Sequence, residues 1–127
     1  MWLYVLNEVK KPILADSFDV WVQWLQKNME NRTVASTELD DGTYILTVFL
    51  AHSTPFSDKQ NPQTFQTMIV GGDHHMKERY YTSWESAEKG HEEVVAAVLA
   101  DNDPIWPEDI ELPDFSERLM DFYGVIH

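Results

Sequence analysis

Apolar positions change period repeatedly along this chain, and each change predicts an element. Residues 2 to 6, Trp-Leu-Tyr-Val-Leu, are a short aromatic and branched run closed by Asn7, Lys10, Lys11 and Pro12, which predicts a first strand ending in a turn. Asp16 and Ser17 then offer N-cap oxygens to a segment in which Phe18, Val20, Trp21, Trp24, Leu25 and Met29 recur mostly at helical spacings. That pattern predicts an amphipathic helix over 17–30. From Thr33 to Leu39 the period becomes an alternation, Asp40-Asp41-Gly42 reads as a turn, and Thr43 to His52 is the strongest strand pattern in the chain. The two alternating runs predict a hairpin.

Residues 53–63 carry two prolines and no periodicity, a long connection for a compact domain. Thr64 to Val70 alternates again and ends at Gly71-Gly72, and a short last strand includes Arg79 to Tyr81. Thr82-Ser83-Trp84-Glu85 has the form of a capping box. It opens a predicted helix over 83–100 with Ala87, His91, Val94, Val95, Val98 and Leu99 on one face. Beyond it, Pro104, Pro107 and Pro113 break an acidic segment in which only Phe115 to Tyr123 looks helical. Trp106, Phe115, Leu119 and Phe122 make it too apolar for a purely solvated tail.

The predicted order is β-α-β-β-β-α plus a tail. Short connections favour antiparallel neighbours, so the expected class is α+β, a single mainly antiparallel sheet of about four strands with two helices on one face. Residues 1–100 form the expected domain, and 101–127 an acidic segment that packs on that domain or on a partner. No internal repeat is visible.

Composition narrows the function classes. The 127 residues suit one domain, and 22 acidic against 9 basic residues leave a formal charge of -13. Such a surplus repels the phosphates that nucleic-acid binders must neutralise and disfavours anionic membranes. The absence of cysteine excludes disulfides, thiolate metal sites and cysteine nucleophiles and fits a reducing compartment. No apolar run approaches membrane-spanning length, and Asn7, Glu8 and Lys10 cut the N-terminal run too short for a signal peptide. A soluble cytoplasmic protein is the expectation.

Several segments resemble one family. Thr47-Val48-Phe49-Leu50-Ala51-His52, Pro55-Phe56, Phe65 to Gly72, Arg79-Tyr80 and Trp84 to His91 together are similar to a family of small acidic proteins of bacteriophages and prophages. Its members share a VFLGLDH, FETMVFGG, RY and GH succession. The resemblance covers roughly 47–95. This chain departs from the pattern in having one residue fewer before His52, a longer loop after it, and Gln66 where a glutamate is usual. If that glutamate were a base or a metal ligand, this protein would lack it.

Candidate chemistry is sparse. His52, His74, His75 and His91 have no diagnostic metal-ligand spacing, and His91-Glu92-Glu93 lacks the second histidine of a zincin helix. No metal and no cofactor are expected. His91 reads either as a core histidine bonded to a strand carbonyl, with Gly90 letting the helix approach the sheet, or as one wall of a polar pocket shared with His52. Gly71-Gly72 is turn chemistry before it is a phosphate loop. Arg79 beside Tyr80 and Tyr81 could grip an anion, or could make a structural ion pair.

If there is a site, His52, Phe56, Gln66, Gly71, Gly72, Arg79, Tyr80 and His91 should lie in one connected region as ligand- or partner-binding residues. No nucleophile elbow is present, so no catalytic residue is assigned. Asp101, Asp103, Glu108, Asp109, Glu111 and Asp114 belong to a stretch from Asp101 to Asp121 with eight acids and Arg118, net -7. Such a stretch keeps a protein soluble. With the phage-type resemblance, it also suggests carboxylates offered to a basic groove that normally holds nucleic acid. The expected function is non-enzymatic inhibition or retuning of a host protein, an anti-CRISPR-like role among the options. The alternative is nucleotide binding or metal-assisted hydrolysis around His52, Arg79 and His91.

Overall fold

A computed structural model describes residues 2–54, 57 and 60–104. Eight elements follow one another: β1 (Tyr4–Leu6), β2 (Pro12–Leu14), α1 (Phe18–Lys27), β3 (Thr33–Glu38), β4 (Tyr44–Phe49), β5 (Phe65–Val70), β6 (Glu78–Tyr81) and α2 (Trp84–Leu99). The class is α+β, as the alternation and helical spacings predict. The strands form two sheets, which corrects the single-sheet expectation. β3-β4-β5-β6 is a four-stranded antiparallel meander, and β1-β2 is a separate two-stranded ribbon.

The second strand escaped the sequence reading because Pro12 reads as a breaker. It opens β2 opposite Leu6, a position where a missing N–H is tolerated. Lys10 turns the ribbon at φ 61°. The ribbon is tied to the main sheet past the end of β4, where Leu3 bridges His52 and the Tyr4 N–H donates to the Ala51 carbonyl at 2.9 Å.

Alternation decides which side chains enter the core. Ile45, Thr47 and Phe49 of β4, Phe65, Thr67 and Ile69 of β5, and Arg79 and Tyr81 of β6 are buried on one face. α2 covers that face with Trp84, Ala87, Gly90, His91, Val94 and Ala97. The predicted helix face is thereby shifted, with Val95 and Val98 half-buried at its border and Leu99 exposed. Phe49 and Phe65 are fully buried with ring centroids 5.2 Å apart, each removing apolar area worth roughly 2–3 kcal/mol. Trp21, Trp24 and Leu25 of α1 pack on the same cluster, with Trp24 edge-on to Phe49 and the Trp21 indole N–H donating to Ala51 O at 2.8 Å.

Both helices begin at serine caps. The Ser17 hydroxyl accepts from Val20 N–H, and the Ser83 hydroxyl from Ser86 N–H. The α2 cap therefore lies one residue beyond the Thr82 of the apparent capping box, and Ser86 stands where the box would need a glutamate or glutamine. Gly42 closes the β3–β4 turn at φ 90°, beside an Asp41 carboxylate that accepts from Thr43 N–H. That bond and a second from the Thr43 side chain hold the Asp41 carboxyl below its ordinary pKa.

Candidate functional site

The described candidates on β5, β6 and α2 belong to one helix–sheet unit, but the alternation of the strands sends them to different faces. Arg79 and Tyr80 are neighbours in β6, so Arg79 points under α2 and Tyr80 points to the opposite face. His91 joins Arg79 on the covered side. Gln66 joins Tyr80 on the side away from α2, where its amide donates to the Tyr80 hydroxyl at 3.2 Å and to the Glu78 carboxylate. Where a catalytic or ligating glutamate would matter, this chain has an amide that neutralises nothing and orders two neighbours on β6.

Beneath α2 a chain of side-chain hydrogen bonds crosses the sheet. His91 Nε2 lies 2.8 Å from the Thr37 hydroxyl and Nδ1 lies 2.7 Å from that of Thr47. Thr47 continues to Thr67, its register partner on β5, and Thr67 to the Tyr81 hydroxyl at 2.9 Å. A phenol is a stronger donor than an aliphatic alcohol, so the order that satisfies every member runs from Tyr81 through Thr67 and Thr47 into Nδ1, with Nε2–H donating to Thr37. His91 is thus a core histidine held by threonine hydroxyls where the sequence suggested a strand carbonyl. Burial pushes its pKa below the ordinary value, and the negative charge of Glu92 pulls it partly back.

Gly90 permits this approach. A Cβ there would collide with the Cε1, Cζ and hydroxyl edge of the Tyr81 ring, so only glycine lets α2 lie this close to β6. Arg79, 8% exposed, lies under the same turn: its Nη2 donates to Glu93 at 2.8 Å and its Nη1 reaches Gly90 O at 3.5 Å. Its guanidinium also lies 5.5 Å from the Tyr81 ring centre. Of the two roles considered for Arg79, the observed partners are those of an ion pair that pins helix to sheet.

The remaining expected members lie elsewhere. His52 sits past β4 at the Leu3 bridge, its Nδ1 paired with Ser53 O, five residues beyond the Thr47 that binds His91. Among the described residues the two histidines share no hydrogen-bond partner: His91 is held by Thr37 and Thr47, His52 by Ser53. Gly71 and Gly72 turn the chain after β5 at φ 90° and 73°, and a Cβ on Gly72 would press on the Thr43 hydroxyl. The Gly71 N–H donates to His75 Nδ1 at 2.7 Å, so this histidine braces the turn. Phe56 lies outside the described residues, as do Glu108, Asp109, Glu111 and Asp114. Asp101 and Asp103 follow α2; Asp103 pairs with Lys77 at 3.4 Å and Asp101 lies 3.9 Å from His74.

Among the described residues no group of three or more histidine or acidic side chains is arranged to hold a metal ion. None of their helices is long and apolar enough to cross a membrane. A cleft of about 390 Å³ opens between the β3–β4 turn and the end of α2, lined by Glu38, Leu39, Asp40, Asp41, Val98 and Leu99. None of the sequence-derived candidates lines it.

Comparison with protein-family models, with curated proteins and with solved structures finds no match to this chain.

Proposed function

We propose that this protein works by contact: a non-enzymatic accessory protein of phage type that binds a host protein in the cytoplasm and inhibits or retunes it. The observation that carries the reading is where the reactive side chains spend their polar atoms. Both nitrogens of His91 are taken by threonines of the sheet, and Arg79 is bound to Glu93 and to the backbone of α2. Groups already committed to holding a helix on a sheet are poor acids, bases or ligand clamps. The charge of -13 then supplies the means, since an acidic surface docks fast and in register on a basic one.

The resemblance to phage proteins supplies the setting, and a host defence component with a basic nucleic-acid groove is the target class that fits an acidic surface. The carboxylates of Asp101, Asp103, Glu108, Asp109 and Glu111 would stand in for phosphates. Affinity purification of the tagged full chain from bacteria tests this, followed by a salt titration of the complex. The reading expects one stoichiometric partner whose affinity falls steeply with salt and with neutralisation of those five residues. A nucleotide or metal copurifying without a protein partner would overturn it in favour of ligand chemistry around His52, Arg79 and His91.

A further inference from the structure

We infer that the face of the four-stranded sheet opposite its two described helices docks an amphipathic helix of the partner, apolar along its centre and carrying lysine or arginine on both flanks. This deepens the binding reading above and rests on it. The register puts three rows on that face: Glu38–Tyr44–Val70, Ser36–Leu46–Met68–Glu78, and Thr33–Val48–Gln66–Tyr80. The two central strands, β4 and β5, present Tyr44, Leu46, Val48, Met68 and Val70 as a nearly continuous apolar stripe. Both helices pack on the other face, and Tyr44 and Val70 remain 38% and 44% exposed.

Width and charge select the occupant. Two strands at ~4.8 Å spacing make a stripe about 10 Å across, the width of one α-helix. α2 already packs across the opposite face, so a second helix would complete a three-layer arrangement. Glu38 borders the stripe on β3 and Glu78 borders it on β6, with no lysine or arginine in the three rows. Flanking cations on the incoming helix would meet a carboxylate at either edge, whereas a second copy of this acidic chain would set glutamates against glutamates. The acidic residues 101–127 carry the same sign problem.

The probe is a synthetic amphipathic peptide of about four turns with a leucine stripe flanked by lysines, titrated into the isotope-labelled full chain and followed by amide shifts. A second peptide carries glutamates in place of the lysines. The inference expects shifts at Tyr44, Leu46, Met68 and Val70 with the lysine peptide and none with the glutamate peptide. Tyr44→Ser with Val70→Ser should weaken binding roughly tenfold, and Glu38→Gln with Glu78→Gln about threefold, at unchanged melting temperature. Shifts centred on Ile13, Leu14 and Phe18, equal binding of both peptides, or a free chain whose stripe is already covered by residues 105–127 or by a second copy would each overturn it. If Tyr44→Ser with Val70→Ser still captures the bacterial partner in full, this surface assignment fails while the binding reading stands. Absence of any partner for the wild type would remove the binding reading itself.

Discussion

His91 and Thr47 are 44 residues apart in sequence, and the imidazole Nδ1 of one lies 2.7 Å from the hydroxyl of the other in the centre of the helix–sheet interface. The bond joins α2 to β4, and through Thr67 and Tyr81 it extends to β5 and β6. Each member needs the next to donate or accept in the right sense, so the protonation state of one ring sets the order of three hydroxyls, Thr47, Thr67 and Tyr81.

That dependence predicts an acid-sensitive fold. The pKa of His91 is depressed in the folded protein, chiefly by burial, so below the unfolded value of about 6.5 the unfolded chain takes up a proton that the folded chain refuses. The stability contributed by the neutral ring is complete above that value. It is lost progressively as pH falls below it towards the folded pKa. Protonation also puts hydrogen on both ring nitrogens, forcing Thr47, Thr67 and Tyr81 to reverse. Urea midpoints from pH 8 to 5 should fall for the wild type, and His91→Gln should show a smaller slope over this window. Equal slopes would exclude His91 as the sensor. The slope is read as a difference because the ion pair of Arg79 with Glu93, the neighbouring Glu92 and the chain's other acids face the same turn or share the pH range.

Gly90→Ala should destabilise the protein even though alanine is the better helix former by about 1 kcal/mol. The new methyl would occupy the space of the Tyr81 ring, and moving that ring breaks its bond to Thr67. A net loss of about 1–3 kcal/mol is expected from urea denaturation. Tyr81→Phe in the same background should not restore it, because the clash is with the ring itself.

Arg79→Ala should lower the melting temperature, with a loss of about 2 kcal/mol, since it strips a buried cation from Glu93 and from the Gly90 carbonyl. Glu93→Gln should cost less, because Glu93 is 38% exposed on its side chain and water replaces part of the pair. A double-mutant cycle should return a coupling of roughly 1 kcal/mol. Unchanged melting of Arg79→Ala with loss of partner capture would instead move Arg79 into a recognition role.

Local chemistry made most elements legible. The helical spacing from Phe18 to Leu25 with Asp16 and Ser17 before it predicts α1, the capping-box form at Thr82 and the apolar face after it predict α2, and the period-two runs on either side of Asp40-Asp41-Gly42 predict the β3–β4 hairpin, because face and turn preferences act between near neighbours. The same logic missed β2, where a proline begins a strand, and placed the α2 cap one residue early at Thr82. For the candidate residues, the pattern identified His91, Gly90 and Arg79 as unusual for their positions.

What those residues do depended on contacts between distant segments. Whether Arg79 or Tyr80 turns inward is set by the register of β6 against β5, and a shift of one residue would exchange them. His91 takes hydroxyl partners because docking α2 across the sheet brings Thr37 and Thr47 to its two nitrogens. Gln66 and Tyr80 were grouped with His91 by order along the chain, yet the pleat separates them by the thickness of the sheet. The sequence by itself determined the elements, their order and the acidic charge, all of which follow from neighbouring residues or from composition. Only the tertiary structure decided which polar atoms are consumed in the core and which face of the sheet the two helices cover, because both depend on strand register and on where a helix comes to rest.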